Sequence, residues 1–314
     1  MNDTIISVKN LKKTYGKQTV LNALNFDVER GSIFALLGEN GAGKTTTVRI
    51  LSTLIQADGG TATIAGYDTS RDASSIKKVI SLTGQYAAVD ELLTGEENLM
   101  MMGRLNHLKG EVVKERTADL LEQFDLIDAA KKRAQFYSGG MRRRLDIAIG
   151  LLADPEVIFL DEPTTGLDPR SRRNMWKLIK RLADNGVTIF LTTQYLEEAD
   201  QLADKIAIIN NGKIVEEGTA EELKRIIGEE KLVFEFRNSA SFNTAQNLLE
   251  GQINDNDMSI SITTDGTTEH LRQLLNAFYE HRIEPESVKF RKPTLDDVFM
   301  DITSRSGKGA MIND

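Results

Sequence analysis

The feature that most constrains the fold of this chain is a glycine-rich segment at residues 38–45, GENGAGKT. It fits the pattern G-x-x-x-x-G-K-[ST] of loops that bind the phosphates of nucleotides. Residues 33–37 before it are a short apolar run, typical of a buried parallel strand, and residues 45–54 after it can continue as a helix. Because a strand, a glycine-rich turn and a helix together direct backbone N–H groups towards an anion, the segment predicts a phosphate-binding loop. A glycine-rich turn without a ligand is the alternative interpretation of this segment taken alone.

The residue types of this loop have direct uses at a triphosphate. Lys44 can supply positive charge to the β- and γ-phosphates, and the hydroxyl of Thr45 can ligate Mg²⁺. Glycines allow backbone N–H groups to converge on phosphate oxygens where a Cβ would intrude. The predicted nucleotide-binding residues of this segment are Gly38, Glu39, Asn40, Gly41, Ala42, Gly43, Lys44, Thr45 and Thr46.

An acidic pair, Asp161-Glu162, follows a second apolar run at residues 157–160. Carboxylates at the end of a strand beside a phosphate-binding loop lie near the metal and the γ-phosphate. Asp161 is predicted to hold Mg²⁺ through water, and Glu162 to polarise the attacking water as a general base. The alternative is a pair of carboxylates that are simply solvated at a strand end.

The segment Ser138-Gly139-Gly140 precedes a stretch with helical periodicity. Ser138 occupies the position of an N-cap, and the two glycines leave backbone N–H groups open to an anion. An ordinary capped helix start is the alternative explanation. The arginine run at residues 142–144 is predicted to form salt bridges along a helix face rather than to bind lipid or nucleic acid.

The length of 314 residues favours one large domain and one small domain. Residues 1–228 alternate strand-like and helix-like segments and predict an α/β domain, with a helical subdomain at residues 86–153. Residues 229–303 predict a small α+β accessory domain, and residues 304–314 a flexible tail.

Charge and composition limit the partners of the chain. A net charge of −8 argues against nucleic acid as the main partner. The chain has no cysteine, and its three histidines do not have the spacing of metal ligands. No apolar stretch approaches the roughly 20 residues of a membrane-spanning helix, and the N-terminus lacks a signal-peptide pattern. We therefore expect a cytoplasmic protein.

The order of the motifs GENGAGKTT, Gln85, YSGGM, VIFLDEP and GLDP resembles the nucleotide-binding domain of ATP-binding-cassette (ABC) proteins over residues 4–225. The resemblance implies a phosphate-loop NTPase fold with a mixed sheet and a helical subdomain. It implies ATP as the nucleotide, with Mg²⁺. It also implies that Tyr15 stacks on adenine and that Gln85 reaches Mg²⁺ and the attacking water.

The same resemblance implies that two chains share each nucleotide. Ser138, Gly139 and Gly140 are expected to contact the γ-phosphate held by a second subunit, with Asp168 at the interface between the two subunits. Asp168 is followed by proline, which independently predicts the N-cap of a helix. Because this chain has one phosphate loop and one such glycine pair, it is expected to pair with a copy of itself or with a second cassette.

Gln194 is a departure from the family pattern, which has a histidine in contact with the γ-phosphate at this position. A glutamine amide can donate to a phosphate oxygen but cannot accept and return a proton near neutral pH. We expect Gln194 to hold the phosphate while proton transfer is left to Glu162 or solvent. A weakened or inactive ATPase is the alternative.

Gln194, the stretch at residues 137–169 and the element PTLDDVF at residues 293–299 resemble the daunorubicin/doxorubicin-resistance subgroup of bacterial ABC export ATPases. This implies an ATP-hydrolysing subunit that docks on a separate membrane permease at the cytoplasmic membrane face, with multidrug or antibiotic efflux as the transport activity. A soluble ABC regulator of ribosomes or DNA and a nucleotide-binding switch with negligible turnover are the alternatives. The acidic pair Asp296-Asp297 is predicted to be a solvated turn or a helix start.

Overall fold

The computed structural model describes residues 3–84, 88–227 and 230–308. The chain divides into two compact units, residues 1–220 and residues 221–314. The helix at residues 220–227 is grouped with the second unit, whereas the boundary drawn from the sequence at residue 228 includes it in the first domain.

The first unit is built from ten strands and seven α-helices in its described part. The strands are β1 (Thr4–Tyr15), β2 (Gln18–Glu29), β3 (Ile33–Leu37), β4 (Gly59–Ile64), β5 (Tyr67–Asp68), β6 (Ile80–Thr83), β7 (Val157–Asp161), β8 (Thr188–Thr193), β9 (Lys205–Asn210) and β10 (Lys213–Gly218). The helices are α1 (Lys44–Leu51), α2 (Ala73–Val79), α3 (Gly95–Leu105), α4 (Gly110–Gln123), α5 (Gly139–Leu151), α6 (Pro169–Asp184) and α7 (Leu196–Leu202).

A six-stranded sheet in the order β10-β9-β3-β8-β7-β6 is the centre of this unit. All its neighbouring strands are parallel except β10, which runs antiparallel to β9. Strands β3, β7 and β8 are buried along their whole length, which is why they appear in the sequence as continuous apolar runs. The turn between β9 and β10 is Asn211-Gly212, with φ of 47° and 73°, as a two-residue hairpin requires.

A second, antiparallel sheet in the order β2-β1-β4-β5 packs on the first through a cluster of aromatic rings. The centroid of the Phe190 ring on β8 lies 5.8 Å from that of Phe26 on β2 and 5.4 Å from those of Phe34 and Phe159. Phe190 is fully buried. The rings therefore pack the two sheets together, and those of Phe34, Phe159 and Phe190 lie on strands that lead to the predicted site.

The helical block predicted between the strands is formed by α3, α4 and α5. Helix α3 begins at a capping box, in which the Thr94 hydroxyl accepts from the Glu97 N–H and the Glu97 carboxylate accepts from the Thr94 N–H. The buried side chain of Asn98 donates to the carbonyls of Asp90 and Thr94 and accepts from the Asp90 N–H. These bonds fix the loop that enters the block.

The second unit has its own sheet and its own apolar core. Its elements are α8 (Ala220–Ile227), β11 (Lys231–Glu235), α9 (Ser239–Leu248), β12 (Gln252–Asn254), β13 (Ser259–Thr263), α10 (Thr268–Glu280), β14 (Ser287–Arg291) and α11 (Leu295–Lys308). The strands form an antiparallel sheet in the order β12-β13-β11-β14. Rings of Phe234, Phe236 and Phe278 pack together in the core. The predicted α+β architecture is confirmed.

Helix α11 continues to Lys308, past residue 304, at which the sequence analysis places the start of a flexible tail. The pair Asp296-Asp297 lies in its first turn, where Asp297 accepts from the Thr294 hydroxyl and N–H. This pair is a helix start, one of the two predicted outcomes. Within the described ranges, no helix combines the length and the apolar character needed to cross a lipid bilayer.

Candidate active site

Four neighbouring parallel strands carry the predicted site residues at their carboxyl ends. Strand β3 leads into the glycine-rich loop, β8 into Gln194, β7 ends in Asp161, and β6 leads to Gly84. In the sheet, Leu37 at the end of β3 pairs with Thr193, and Asp161 pairs with Thr192. Ligands of open α/β sheets bind beyond the carboxyl ends of the strands. The topology therefore gathers residues that are up to 156 positions apart, from 38 to 194, at one edge.

The glycine-rich loop has a backbone shape that its glycines make possible. Gly41 and Gly43 have φ of 85° and 113°, a region that side chains with a Cβ rarely adopt. A Cβ at Gly38 would collide with the carbonyl oxygen of Ile209. On the side of the antiparallel sheet, the Gly212 N–H donates to the Ala42 carbonyl at 3.1 Å, and the Gly212 carbonyl accepts from the Asn22 N–H at 2.7 Å.

Lys44 is the first residue of α1 and is 4% exposed. Its Nζ donates to the carbonyl oxygens of Gly38 at 2.7 Å and Glu39 at 3.1 Å, and lies 3.5 Å from Oε1 of Glu162. Burial lowers the pKa of Lys44, and the carboxylates of Glu162 and Asp161 oppose that shift. The ammonium is thus held at the loop by carbonyl dipoles and carboxylates, in position to face an anion.

Thr45 and Asp161 place a hydroxyl and a carboxylate side by side. The Thr45 Oγ1 lies 3.4 Å from Oδ1 of the buried Asp161, which also accepts a hydrogen bond from the Thr192 hydroxyl. Oxygen donors of this kind suit Mg²⁺, which is bound through one or two carboxylates, phosphate oxygens and water. No group of three or more acidic, histidine or cysteine side chains with a metal-site arrangement occurs in the described part of the chain. The hydroxyl of Thr45 and the carboxylate of Asp161 are oxygen donors that fit a metal held jointly with phosphate.

Glu162 has a left-handed backbone, with φ of 50°. Its N–H donates to the Thr192 carbonyl at 3.1 Å and lies 3.2 Å from the Thr192 hydroxyl. Its carboxylate lies against Lys44 on one side and accepts from the Thr165 hydroxyl at 3.3 Å on the other. The side chain is about one-tenth exposed, so the carboxylate is available to water at the edge of the site.

The predicted caps of α5 and α6 are confirmed. The Ser138 hydroxyl accepts from the Met141 N–H at 3.2 Å, and Gly139 and Gly140 form the first turn of α5. The Asp168 carboxylate accepts from the N–H groups of residues 170 and 171 and from the Ser171 hydroxyl. These bonds, led by that of the Ser171 hydroxyl, lower the pKa of Asp168. Both caps are exposed on the first unit.

The remaining predicted residues are Tyr15, Gln194 and Gln85. The Tyr15 ring is at the end of β1, 47% exposed, with Nζ of Lys13 5.5 Å from its centroid. Gln194 is half-buried and directly follows β8. Gln85 lies outside the described residues, and its contact with Mg²⁺ and water stays a prediction.

The sequence analysis missed the part that Arg143 and Asp146 take in the site. The arginine run does form salt bridges, as predicted: Arg142 pairs with Glu91, Arg143 with Asp146, and Arg144 with Asp125. The middle pair, however, points to the strand ends that carry the site and not along an exposed helix face. The spacing of three residues between an arginine and an aspartate on one helix is the signal that could have indicated the pair.

Comparison with known proteins identifies the family. The sequence profile of the ABC transporter family matches residues 21–165. The daunorubicin resistance ATP-binding protein DrrA3 of Streptomyces coeruleorubidus is 46% identical over 306 residues, which cover 96% of this chain and 97% of that protein. This chain belongs to the ABC transporter ATP-binding proteins.

Other relatives of this ABC protein support the narrower resemblance drawn from the sequence. The daunorubicin/doxorubicin resistance ATP-binding protein DrrA of Streptomyces peucetius is 43% identical, with coverage of 95% of this chain and 92% of that protein. The linearmycin resistance ATP-binding protein LnrL of Bacillus subtilis is 32% identical, with coverage of 96% and 99%. Matches of this extent include most of the second unit. The predicted likeness to the daunorubicin/doxorubicin-resistance subgroup is confirmed.

Solved structures show the same fold for the ABC cassette. The ATP-binding subunit of an ABC transporter matches with a TM-score of 0.63 and 29% identity, over 71% of this chain and 92% of that one. A dimeric ATP-binding cassette in a post-hydrolysis state, bound to ADP and phosphate, matches with a TM-score of 0.62 and 25% identity, over 68% and 98%. ATP hydrolysis is the activity of this family, and the prediction that the chain is an ATPase is confirmed.

Proposed function

We propose that this ABC protein hydrolyses ATP at the edge of its six-stranded sheet, with Glu162 as the general base and Lys44 as the cation that stabilises charge on the β- and γ-phosphates. The observation that carries this proposal is the contact cluster of Lys44, Thr45, Asp161 and Glu162, which brings together two separate motifs, the phosphate loop and the acidic pair after β7. In the proposed reaction, Glu162 accepts the proton of a water that attacks the γ-phosphorus, and the bond to the β–γ bridging oxygen breaks. The products are ADP and phosphate.

Thr45 and Asp161 are the residues proposed to hold Mg²⁺, with Gln85 as a third contact. When bound, the ion neutralises charge on the β- and γ-phosphate oxygens. The Thr192 hydroxyl bonded to Asp161 fixes the orientation of that carboxylate. The pairing of Thr192 with both Asp161 and the Glu162 N–H makes strand β8 a support for both acidic residues.

Tyr15 is proposed to stack on the adenine, since its ring is exposed at the end of β1 and has a cation beside it. Base–aromatic stacking contributes about 1–3 kcal/mol per base where it has been measured. Gln194 is proposed to donate its amide to the γ-phosphate, because it follows the strand that neighbours β3, the strand leading into the phosphate loop.

Two chains are proposed to close over two nucleotides. Ser138, Gly139 and Gly140 present the N-terminus of α5, and Asp168 that of α6, on exposed parts of the first unit, where a partner can reach them. A dimeric cassette among the structural relatives supports this arrangement. The partner is a copy of this chain or a second cassette.

The transport role of the pair is proposed from the names of the relatives. Full-length similarity to daunorubicin, doxorubicin and linearmycin resistance proteins supports export of hydrophobic antibiotics through a separate membrane permease. In this proposal the cassette binds to the permease at the cytoplasmic face of the membrane, and closure of the two cassettes drives the permease.

The test of the proposed reaction is Glu162→Gln, which keeps the size of the side chain and its acceptor oxygen but removes the base. We expect the rate of phosphate release to fall by about 100-fold or more, while ATP binding persists and dimers accumulate on size-exclusion chromatography with ATP. Glu197→Gln, an exposed carboxylate on α7, is the matched control and should hydrolyse ATP like the parent. Unchanged turnover in Glu162→Gln would remove Glu162 as the base.

A further inference from the structure

Helix α5 carries a nearly buried ion pair outside the cluster of phosphate-loop and acidic residues. Nη1 of Arg143 lies 3.3 Å from Oδ2 of Asp146, one turn along the helix. The Arg143 side chain is 11% exposed and that of Asp146 is 4% exposed. Because both groups lose hydration on burial, the pKa of Arg143 is lowered and the pKa of Asp146 is raised.

The guanidinium of Arg143 donates to three backbone carbonyls from two different strand ends. Nε donates to the Pro163 carbonyl at 3.1 Å, and Nη2 to the Asp161 carbonyl at 3.3 Å. These two carbonyls flank Glu162 in the chain. Nη1 donates to the Gly84 carbonyl at 2.6 Å, immediately before Gln85. A single planar side chain thus bonds on both sides of Glu162, a predicted catalytic residue, and next to Gln85, a predicted contact of Mg²⁺.

Asp146 completes this arrangement from the same helix. Its Oδ1 accepts from the Ala88 N–H at 2.8 Å, while its other oxygen pairs with Arg143. The pair therefore bonds to Gly84 and to Ala88, the described residues on either side of positions 85–87. Both ends of the segment that contains Gln85 are tied to helix α5.

Stability alone is a poor explanation for these two charges. Replacing a buried ion pair by apolar residues of similar volume is often neutral or stabilising, because the desolvation of both ions is avoided. What apolar residues cannot reproduce is the set of bonds to the strand ends. Five planar donors fix position better than one ammonium, since the guanidinium fork has a defined geometry. Arginine is therefore required for the hydrogen bonds to the strand-end carbonyls and not for the ion pair with Asp146.

We propose that Arg143 and Asp146 are positioning residues, which transmit the placement of helix α5 to the backbone around Glu162 and to both sides of Gln85. This inference rests on the proposed function, in which the start of α5 at Ser138 contacts the nucleotide of the partner. Because α5 is then fixed by one nucleotide and bonds to the catalytic segments of the other, the pair couples the two sites of the dimer. Arg143 acts through the backbone and does not touch the reacting atoms.

The test compares Arg143→Lys with Arg144→Lys on the full chain. Lysine keeps the charge at residue 143, but its single nitrogen cannot reproduce the planar fork of donors that reaches both strand ends. Arg144 is the matched control, because it also donates to a carbonyl, that of Phe124, and pairs with Asp125, within the helical block. We expect Arg143→Lys to lower kcat by about tenfold or more, with KM for ATP within about threefold of the parent. Arg144→Lys should leave both constants near parent values.

A second variant separates positioning from folding. The double replacement Arg143→Met with Asp146→Leu removes both charges and leaves no unpaired ion, so it should retain the folded state. We expect its kcat to stay as low as that of Arg143→Lys. Hydrogen exchange followed by mass spectrometry should show faster exchange in peptides that cover residues 84–90 and 158–166 in both variants, and unchanged exchange in Arg144→Lys.

Each possible result either supports or overturns the positioning role of Arg143 and Asp146. Turnover of the double variant within about threefold of the parent overturns it, as does lowered turnover with unchanged exchange in the two segments. If kcat per folded molecule stays at the parent value while the folded fraction falls, the role is structural and the inference is wrong. If the unaltered chain releases no phosphate from ATP, the proposed function fails, and the exchange of residues 84–90 and 158–166 still shows whether Arg143 restrains them.

Discussion

Glu162 has an unusual backbone conformation for a residue with a side chain. A φ of 50° costs a non-glycine residue of the order of 1–3 kcal/mol and persists only where surrounding contacts impose it. Here the contacts are the bonds of its N–H to Thr192 and those of its neighbours' carbonyls to Arg143. The conformation turns the chain sharply at the end of β7, so that adjacent residues serve different purposes: Asp161 faces Thr45, and Glu162 faces Lys44.

The proposed contact of Gln194 with the γ-phosphate can be tested by substitution of this one residue. If its amide holds the γ-phosphate, Gln194→Ala should lower kcat for ATP hydrolysis by about tenfold or more, because a donor to the developing charge is lost. Gln194→His retains a donor and should keep a larger share of the rate. Steady-state phosphate release measures both. Hydrolysis by Gln194→Ala as fast as that of the parent would contradict the proposed contact.

At the scale of elements, the aromatic cluster between the two sheets supports the strands that lead to the site. Phe190 lies at its centre, on the strand that precedes Gln194, and contacts rings from both sheets. We expect Phe190→Ala to lower the free energy of unfolding by about 3–5 kcal/mol, through lost transfer energy and the cavity that remains. Phe190→Leu should cost less, because it leaves a smaller cavity.

Urea unfolding followed by tryptophan fluorescence measures this loss, since Trp176 is on α6 in the same unit. The control is Phe136→Ala, whose ring is 60% exposed and which should change stability by less than about 0.5 kcal/mol. Equal effects of the two substitutions would show that the cluster does not hold the sheets together.

Some elements of the fold can be predicted from the sequence, and others cannot. The apolar run at residues 33–37 is the strand β3 to the residue, because a strand buried on both faces has a continuous apolar signal. The short, exposed β12 has no such signal and was not predicted. The cluster of Lys44, Asp161 and Glu162 follows from motifs and from the rule for parallel strands. The reach of Arg143 to Gly84 and Pro163 depends on tertiary packing between distant segments, which local pattern does not encode.

At the scale of the whole molecule, the proposed pairing of two chains makes each site a composite of both. If the chain forms a homodimer, mixing inactive Lys44→Ala and Ser138→Arg chains should restore activity. In a mixed dimer one site has both defects and the other has none. When exchange is complete and sites act independently, about a quarter of the parent rate is expected, since half of the dimers are mixed and each has one intact site.

The control for this complementation is a mixture of Lys44→Ala with Glu162→Gln. Both changes lie on the phosphate-loop side of the site, so each site of a mixed dimer keeps one defect and the rate should stay low. Recovery in this control, or none in the first mixture, would contradict a shared site between identical chains. ATPase assays over a series of mixing ratios provide the measurement.

The turn at Gly212 has a consequence for how ATP binding is used. Its N–H and carbonyl tie Ala42 in the glycine-rich loop to Asn22 in the antiparallel sheet. A loop that is already braced in this way loses little conformational entropy when a polyanion arrives. More of the favourable free energy of phosphate contact is then left for recruiting the second cassette, so the hydrogen bonds of the hairpin to the loop favour assembly of the pair.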